Sequence, residues 1–298
     1  MDISVIIPVY NKKEYVEQCL RSVLAQQFGS FEVIAVDDGS TDGSGDICDR
    51  IAAEDPRLRV AHVANGGVTA ARRHGTGMAS GRYITFADAD DRMPQNALQR
   101  LFDAIEREQA DEVIATYHDQ LGRHVDSGLR GTVSPAYMID SLLTCRARFC
   151  VLWAVIFRRG LLDGCLSAPR QIRSGEDILM QIMCLVKNPK VVFIPDSVYI
   201  YNAGLPNDRK LELGEQMLYD RILRGVLAGC WERHKDAFTT HQLKMYENFI
   251  SQGMFHVRRE YYHRLRGQLN SNIPLLDRLA FLLPPRVAYL PVHARKRL

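Results

Sequence analysis

Three carboxylates fall within four positions at Asp88, Asp90 and Asp91, directly after the apolar run Tyr83-Ile84-Thr85-Phe86. Like charges this close repel, which raises their pKa values or splays the chain. A hard divalent cation offsets the repulsion. Mg²⁺ and Mn²⁺ take one or two protein carboxylates and complete the shell with substrate phosphates. The same residues also read as a solvated acidic turn ahead of the helix expected at Pro94. No lysine neighbours the cluster in sequence to balance it. Two further acidic pairs stand out. Asp37-Asp38 precedes Gly39-Ser40, the composition of a turn and N-cap. Glu176-Asp177 follows Ser174-Gly175 and opens a helical pattern, where acids complement the helix dipole.

The elements that must position these acids alternate regularly. Residues 3–10 form a continuous apolar run, a buried strand. Asn11 with Glu14 resembles a capping box, and the helix after it places Val16, Cys19, Leu20, Val23 and Leu24 on one face. Phe31–Val36 is a second strand ending in Asp37-Asp38. A helix follows with Ile47, Cys48 and Ile51 inward. Leu58–Val63, the turn Asn65-Gly66-Gly67 and a helix over 68–79 come next, then Arg82–Phe86 and the acidic cluster. A helix from Pro94 buries Leu98, Leu101, Phe102 and Ile105, and Glu112–Tyr117 is a further strand. This β/α alternation predicts an α/β, Rossmann-like, mostly parallel sheet with helices on both faces. In such sheets ligands bind beyond the carboxyl ends of the strands, where all three of Tyr10-Asn11, Asp37-Asp38 and Asp88-Ala89-Asp90 lie.

Beyond residue 120 the pattern loosens. It predicts a helix near Pro135–Cys145, a segment at Trp153–Arg159, a helix opened by Glu176-Asp177, strands Val191–Ile194 and Val198–Tyr201, and a mainly helical stretch over 211–269. A boundary near 205 is expected, with residues 1–205 as the ligand-binding domain and 206–298 as a helical C-terminal extension.

At 46% hydrophobic and 24% charged residues, the 298-residue chain has globular composition and needs no disulfides. Its seven cysteines are scattered without a CxxC, which reads as reduced core thiols of a cytoplasmic protein. The N-terminus does not read as a signal peptide, since Asp2 precedes an apolar run that stops at Pro8. The nine histidines show no metal-ligand spacing. The net charge of +3 is uneven, because residues 257–298 hold nine Arg/Lys against two acids. Residues 273–292 are apolar but interrupted by Asp277, Arg278, Pro284, Pro285 and Arg286, so they suit lying in a membrane interface and not spanning it. Arg258, Arg259, Arg264 and Arg266 interleave with Tyr261 and Tyr262, and Arg295-Lys296-Arg297 follow. An anionic membrane surface is therefore an expected partner, at the inner face of the cell membrane, against the alternative that 273–292 packs back onto the body of the protein. Nucleic acid is not expected, because the side bearing the strand ends is acidic.

SVIIPVYN at 4–11, EVIAVDDGSTDGS at 32–44, NGGVTAARRHG at 65–75, RYITFADADD at 82–91 and SGEDILM at 174–180 occur in an order and spacing that resembles the family 2 glycosyltransferases of GT-A fold, of the bacterial surface-polysaccharide type. The resemblance covers about the first 200 residues. It implies an inverting transferase that moves a sugar from a nucleotide-sugar donor, a UDP-sugar first among candidates, to a hydroxyl of a glycan or glycolipid acceptor, with Mn²⁺ or Mg²⁺ as cofactor. By the same resemblance Pro8, Val9 and Tyr10 cradle the base, and Asp38, with Asp37 beside it, accepts from a ring N–H. Arg72 reaches the sugar or diphosphate. Asp88-Ala89-Asp90 is the DxD motif, with Asp90 the leading metal ligand, Asp88 nearer the ribose or sugar, and Asp91 beside them. Asp177 is the implied general base, oriented by Glu176, since displacement at an anomeric carbon needs a group that takes the acceptor hydroxyl proton.

Two departures stand against the family pattern. Where the family often reads W-N-K, this chain has Trp153-Ala154-Val155, so acceptor contacts there are in doubt; Trp153 is expected either to stack on an acceptor sugar or to sit in the core. Where an Arg usually follows Y-x-Y, Asn202 follows Tyr199-Ile200-Tyr201, and either Arg209 or Lys210 substitutes in holding diphosphate or diphosphate binding is weaker. Two alternatives stay open: a glycosyltransferase-like binding module without turnover, and a nucleotidyltransferase, although the latter's glycine-rich loop is replaced here by Tyr10-Asn11-Lys12-Lys13.

Overall fold

The computed structural model describes residues 1–146, 149, 152–204, 212–289 and 292. Its contacts divide the chain into two compact units, one of Met1–Pro135 with Arg148–Asn207 and one of Ala136–Ala147 with Asp208–Leu298.

The first unit is built on a nine-stranded sheet in the order β3-β2-β1-β4-β8-β5-β9-β7, with β6 (His124–Val125) paired to β5. β1 (Ile3–Val9), β2 (Phe31–Asp37) and β4 (Tyr83–Phe86) are buried at almost every position. Strands covered on both faces lose the polar alternation of a half-exposed sheet, which explains their continuous apolar runs. β1 pairs in parallel with β2 and β4, and β2 with β3 (Leu58–His62). The chain thus winds outward from β1 to β3 and returns on the other side of β1 as β4. That reversal makes a switch point, with a crevice at the carboxyl ends of β1 and β4.

The other half of the sheet is mixed. β8 (Val155–Arg158) inserts antiparallel between β4 and β5 (Glu112–Asp119). β9 (Val191–Tyr201) is one strand of 11 residues where two were expected. It runs parallel to β5 through a register shift near Thr116, and β7 (Gly131–Val133) closes the edge. Helices α1 (Val16–Leu24), α2 (Ser44–Glu54), α3 (Val68–Met78) and α4 (Ala97–Glu108) turn apolar stripes inward, α1 through Val16, Cys19, Leu20 and Val23. Each such side chain fully buried contributes about 1.5–3 kcal/mol.

The capping box expected at Asn11 and Glu14 does not form. Helix α1 starts at Val16 without a side-chain cap. Asn11, at φ 50°, instead donates its backbone N–H to Ser40 Oγ (3.0 Å) and accepts from Thr41 N (2.9 Å). Its polar groups join the loops after β1 and β2, a contact between neighbouring strand ends that outweighs local capping.

In the second unit α5 (Pro135–Leu143), expected with the sheet, groups with the C-terminal helices, where His234 Nδ1 bonds Asp140 Oδ1 at 2.7 Å. Helices α7 (Leu213–Val226), α8 (Trp231–Ser251), α9 (Arg258–Leu265) and α10 (Leu275–Leu282) surround a core of Leu243, Tyr246, Phe249, Ile250, Tyr261 and Phe281. Among the described residues no helix is long and apolar enough to cross a membrane.

Candidate active site

The loops after β1, β2 and β4 converge at the switch point. Pro8 and Val9 end β1, and Tyr10 stands exposed beyond it. Asp38 is buried, and each of its carboxylate oxygens accepts a backbone N–H, from Gly66 at 2.7 Å and Gly67 at 2.8 Å. A carboxylate has about four acceptor sites, so a further N–H donor is accommodated. Gly67 has φ 90°, a conformation only glycine takes readily, where the chain turns into α3. Asn65 Nδ2 adds a bond to Asp38 O at 3.0 Å, and Arg170 Nη2 donates to Asn65 Oδ1 at 2.7 Å.

Asp37 is held differently. Ser40 N donates to its Oδ1 (3.0 Å) and His62 Nδ1 bonds its Oδ2 (2.9 Å). Burial acts to raise the carboxyl's pKa, but the hydrogen bonds from Ser40 and His62 outweigh it and hold it below the usual range. Hydrogen bonds to Asp37 and Asp49 in turn raise the His62 imidazole.

The acidic cluster is partitioned by its partners. Asp88 Oδ1 receives Arg72 Nη2 at 3.0 Å; Arg72 reaches it from within α3, itself buried, with its Nε unpartnered among the described residues. Asp90 pairs with Lys12 Nζ. The cluster therefore has a lysine against it, contrary to its sequence neighbourhood, because the sheet sets the loop after β1 beside the loop after β4. Asp91, grouped with the metal ligands by sequence, faces the other way. It is buried, accepting Tyr199 Oη at 2.9 Å and Asn202 N at 2.7 Å. Tyr199 Oη also accepts Asp88 N at 2.9 Å, so one hydroxyl ties the acidic loop to β9 twice. Burial, with the charges of Asp88 and Asp90 adding, pushes the Asp91 carboxyl up to about 7 against the opposing bonds from Asn202 and Tyr199.

Asp177 lies in the first turn of α6 (Glu176–Leu185), after Gly175 at φ 80°. Its Oδ1 accepts Ile178 N at 2.8 Å. Burial raises its pKa. The positive charge of Arg72 opposes the rise and the negative charge of Asp88 adds to it. Asp177 thus shares an electrostatic field with Arg72 and Asp88, although Asp88 is about ninety residues away in sequence. Glu176 stands beside it at the helix start. At the root of α6, Gln181 Nε2 donates to Glu112 Oε1 on β5. Glu112 is buried, and burial pushes its carboxyl up to about 8.

Trp153 is partly buried in an aromatic stack, parallel to Tyr199 (24°, 5.0 Å) and Tyr201 (6°, 5.2 Å) and edge-on to Tyr117. Ala154 beside it has φ 57°. That left-handed conformation costs a residue with a Cβ about 1–2 kcal/mol of backbone strain. Arg209 and Lys210 lie outside the described residues, as does the basic tail at 295–297.

The oxygen-rich donor set suits a hard cation at Asp90 and Asp88, and the ammonium of Lys12 already sits on Asp90 as a positive group would. Asp91 does not join them. Among the described residues no three His, Cys, Asp or Glu side chains form a ready cluster for a metal, so substrate oxygens would have to complete the shell. Lys12, His62, Asn65, Arg170 and Tyr199 had no assigned role in the sequence reading. The Lys12-Lys13 pair directly after a buried strand was the one visible signal, whereas Tyr199 carried none beyond its strand.

The family model for glycosyl transferase family 2 matches residues 4–165, and the chain belongs to that family. A curated relative, the uncharacterized glycosyltransferase EpsJ of Bacillus subtilis, is 33% identical over 218 residues, covering 69% of this chain and 62% of EpsJ. The chain thus spans less than two thirds of that relative's length. Among solved structures, S. aureus TarS 1–349 in complex with UDP-GlcNAc superposes with a TM-score of 0.77 at 19% identity, covering 100% of this chain and 92% of that one. The mannosyltransferase PcManGT from Pyrobaculum calidifontis, in complex with GDP-Man and Mn²⁺, gives 0.53 at 18% identity over 98% and 75% of the two chains. The fold is GT-A.

Proposed function

We propose that the chain is an inverting, metal-assisted glycosyltransferase that moves a sugar from a UDP-sugar to a hydroxyl of a glycan or lipid-linked glycan, at the inner face of a cell membrane. The observation that carries this reading is the arrangement at the strand ends, with Asp38 held by Gly66 and Gly67, Asp88 paired with the buried Arg72, and Asp177 in the first turn of α6. A base more basic than an ordinary aspartate suits proton abstraction near neutral pH.

In this reading Pro8, Val9 and Tyr10 border the base, and Asp38, fixed by Gly66 and Gly67, accepts the uracil ring N–H. Asp37 braces the same loop through Ser40. Arg72 orients the donor through its link to Asp88. Asp90 and Asp88 hold Mn²⁺ or Mg²⁺, which when bound supplies positive charge against the leaving diphosphate. Asp177 takes the acceptor's hydroxyl proton as that oxygen bonds to the anomeric carbon. The bond from that carbon to the diphosphate oxygen breaks, and the electron pair leaves on the phosphate. One displacement inverts the centre. Glu176 orients Asp177 or the acceptor, and Trp153 lines the acceptor side.

The test is thermal stabilisation by UDP-, GDP- and dTDP-sugars with and without Mn²⁺. A ligand at a hundred times its Kd stabilises the native state by about 2.7 kcal/mol. Stabilisation by a UDP-sugar that EDTA or Asp90→Ala abolishes, together with transfer, is expected. Full activity in excess EDTA would sink the metal assignment, and absence of any nucleotide-sugar effect would sink the reading.

A further inference from the structure

Helix α10 buries one face properly. Ala280 and Phe281 enter the core of the C-terminal unit, where Phe281 meets Tyr246 edge-on and stacks on Tyr262. Its opposite face is not polar. Leu275 (60%) and Leu276 (62%) are exposed, as are Leu279 and Leu282, and these positions lie on one helical stripe. Leu283 and Val287 extend the exposed apolar surface past the end of the helix. A surface helix ordinarily turns charge outward, while a helix apolar on both faces is one whose two sides both meet apolar surroundings. Exposed patches of this kind mark interaction sites.

The sequence around the stripe is basic, although the buried Glu247 shares a cavity lining with Leu275 and Leu276. Asp277, the one acid of α10, is buried and accepts Lys244 Nζ at 2.8 Å. Between residues 258 and 289 the only other acid is Glu260, against six arginines. Arg259, Arg266 and Arg286 are exposed, and Arg258 and Arg278 are half-buried. An apolar centre with a basic rim complements an anionic bilayer, with leucines entering the acyl boundary and guanidinium groups meeting lipid phosphates. A second copy of the chain docked on this face would set arginine rims against one another, which disfavours it. Eight residues of helix span about 12 Å, far less than the ~30 Å hydrocarbon core, so the helix would lie in the plane of the interface.

We propose that the outer face of α10, continued through Leu283 and Val287 and rimmed by Arg258, Arg259, Arg278 and Arg286, docks the protein on an anionic membrane surface. This adds to the proposed membrane setting the surface that produces it, and its test reads no turnover, so the two can fail separately. The full chain is co-sedimented with vesicles of phosphatidylcholine alone and with 30% phosphatidylglycerol. Binding is expected to the anionic vesicles only and to weaken in high salt. The triple variant Leu276→Ser/Leu279→Ser/Leu282→Ser, with unchanged circular dichroism, is expected to lose about tenfold or more in partitioning. If that variant misfolds, Arg259→Glu/Arg286→Glu at exposed rim positions must weaken binding by a comparable factor. Wild-type protein left in the supernatant with anionic vesicles overturns the proposal. So does equal binding by the folded variants, or a wild-type dimer that the leucine changes dissociate without any lipid binding.

Discussion

The two acidic sites of the cleft are built from the same residue types and held in opposite ways. Asp88–Asp91 lies in a loop whose carboxylates are each claimed by a partner from another element: Arg72 on α3, Lys12 after β1, and Tyr199 on β9. Asp177 accepts backbone N–H groups of its own turn, that of Ile178 among them, and its helix is anchored farther on through Gln181 and Glu112. The first arrangement spends its acids on position and charge balance. The second leaves a carboxyl with raised proton affinity in the first turn of a helix, as the proposed role of Asp177 asks. Environment, not residue type, separates the roles.

The largest test of this contrast is Asp177→Asn. The amide keeps the shape and the bond to Ile178 N but cannot take a proton. Turnover should fall by about 10²–10⁴ while donor affinity, followed by calorimetry, stays within twofold. Wild-type turnover would reduce Asp177 to a helix-start residue.

Glu112→Gln probes the anchor of the second site. The wild-type carboxyl rises from an ordinary 4.5 to about 8 in the folded state. The folded protein therefore holds a proton that the unfolded chain releases between these values, and stability falls as pH rises through that window, by about 1.4 kcal/mol per unit from this group. The glutamine can still accept from Gln181 but does not titrate. Denaturant unfolding from pH 5 to 8 should show a flatter slope and a more stable variant at pH 8. An unchanged slope would place the titration elsewhere.

Tyr199→Phe addresses the first site. It removes the hydroxyl shared by Asp91 Oδ2 and Asp88 N. Leaving buried polar groups short of partners costs about 1–3 kcal/mol. Chemical denaturation should report that loss, with weaker donor binding as the acidic loop loosens and little change in the pH profile of turnover expected from Asp177 as the proposed base. A fully stable variant would show the loop to be held by other bonds.

Lys12→Met is the smallest effect. The pair is partly exposed, so its worth is modest. Freed of its counter-ion, Asp90 should bind Mn²⁺ in the absence of donor about two- to fivefold more tightly, measured by calorimetry, with Asp177→Asn showing no such gain. Weaker Mn²⁺ binding would mean that Lys12 organises the site and does not compete for it.

Much of this site was legible before any coordinates, because strands and the turns that end them are written in local periodicity. Continuous apolar runs marked β1, β2 and β4, and the polar residues that stop each run had to lie at the carboxyl ends of a parallel sheet. Gly67 and Gly175 announced sharp turns for the same local reason. The sequence by itself therefore determined where Asp38, Asp88, Asp90 and Asp177 begin and end their elements. Only the tertiary structure decided which protein groups each of them, and Asp91, meets. Lys12 meets Asp90 across 78 residues and Tyr199 meets Asp91 across 108. Those pairings depend on β1 lying beside β4 and on the reach of β9, and strand order is set by long-range packing that leaves no period in the chain. The same holds for α10. Its leucines are visible in sequence, but one face enters the core and the other stays outside because Phe281 and Asp277 find Tyr246 and Lys244 on a helix some thirty residues away.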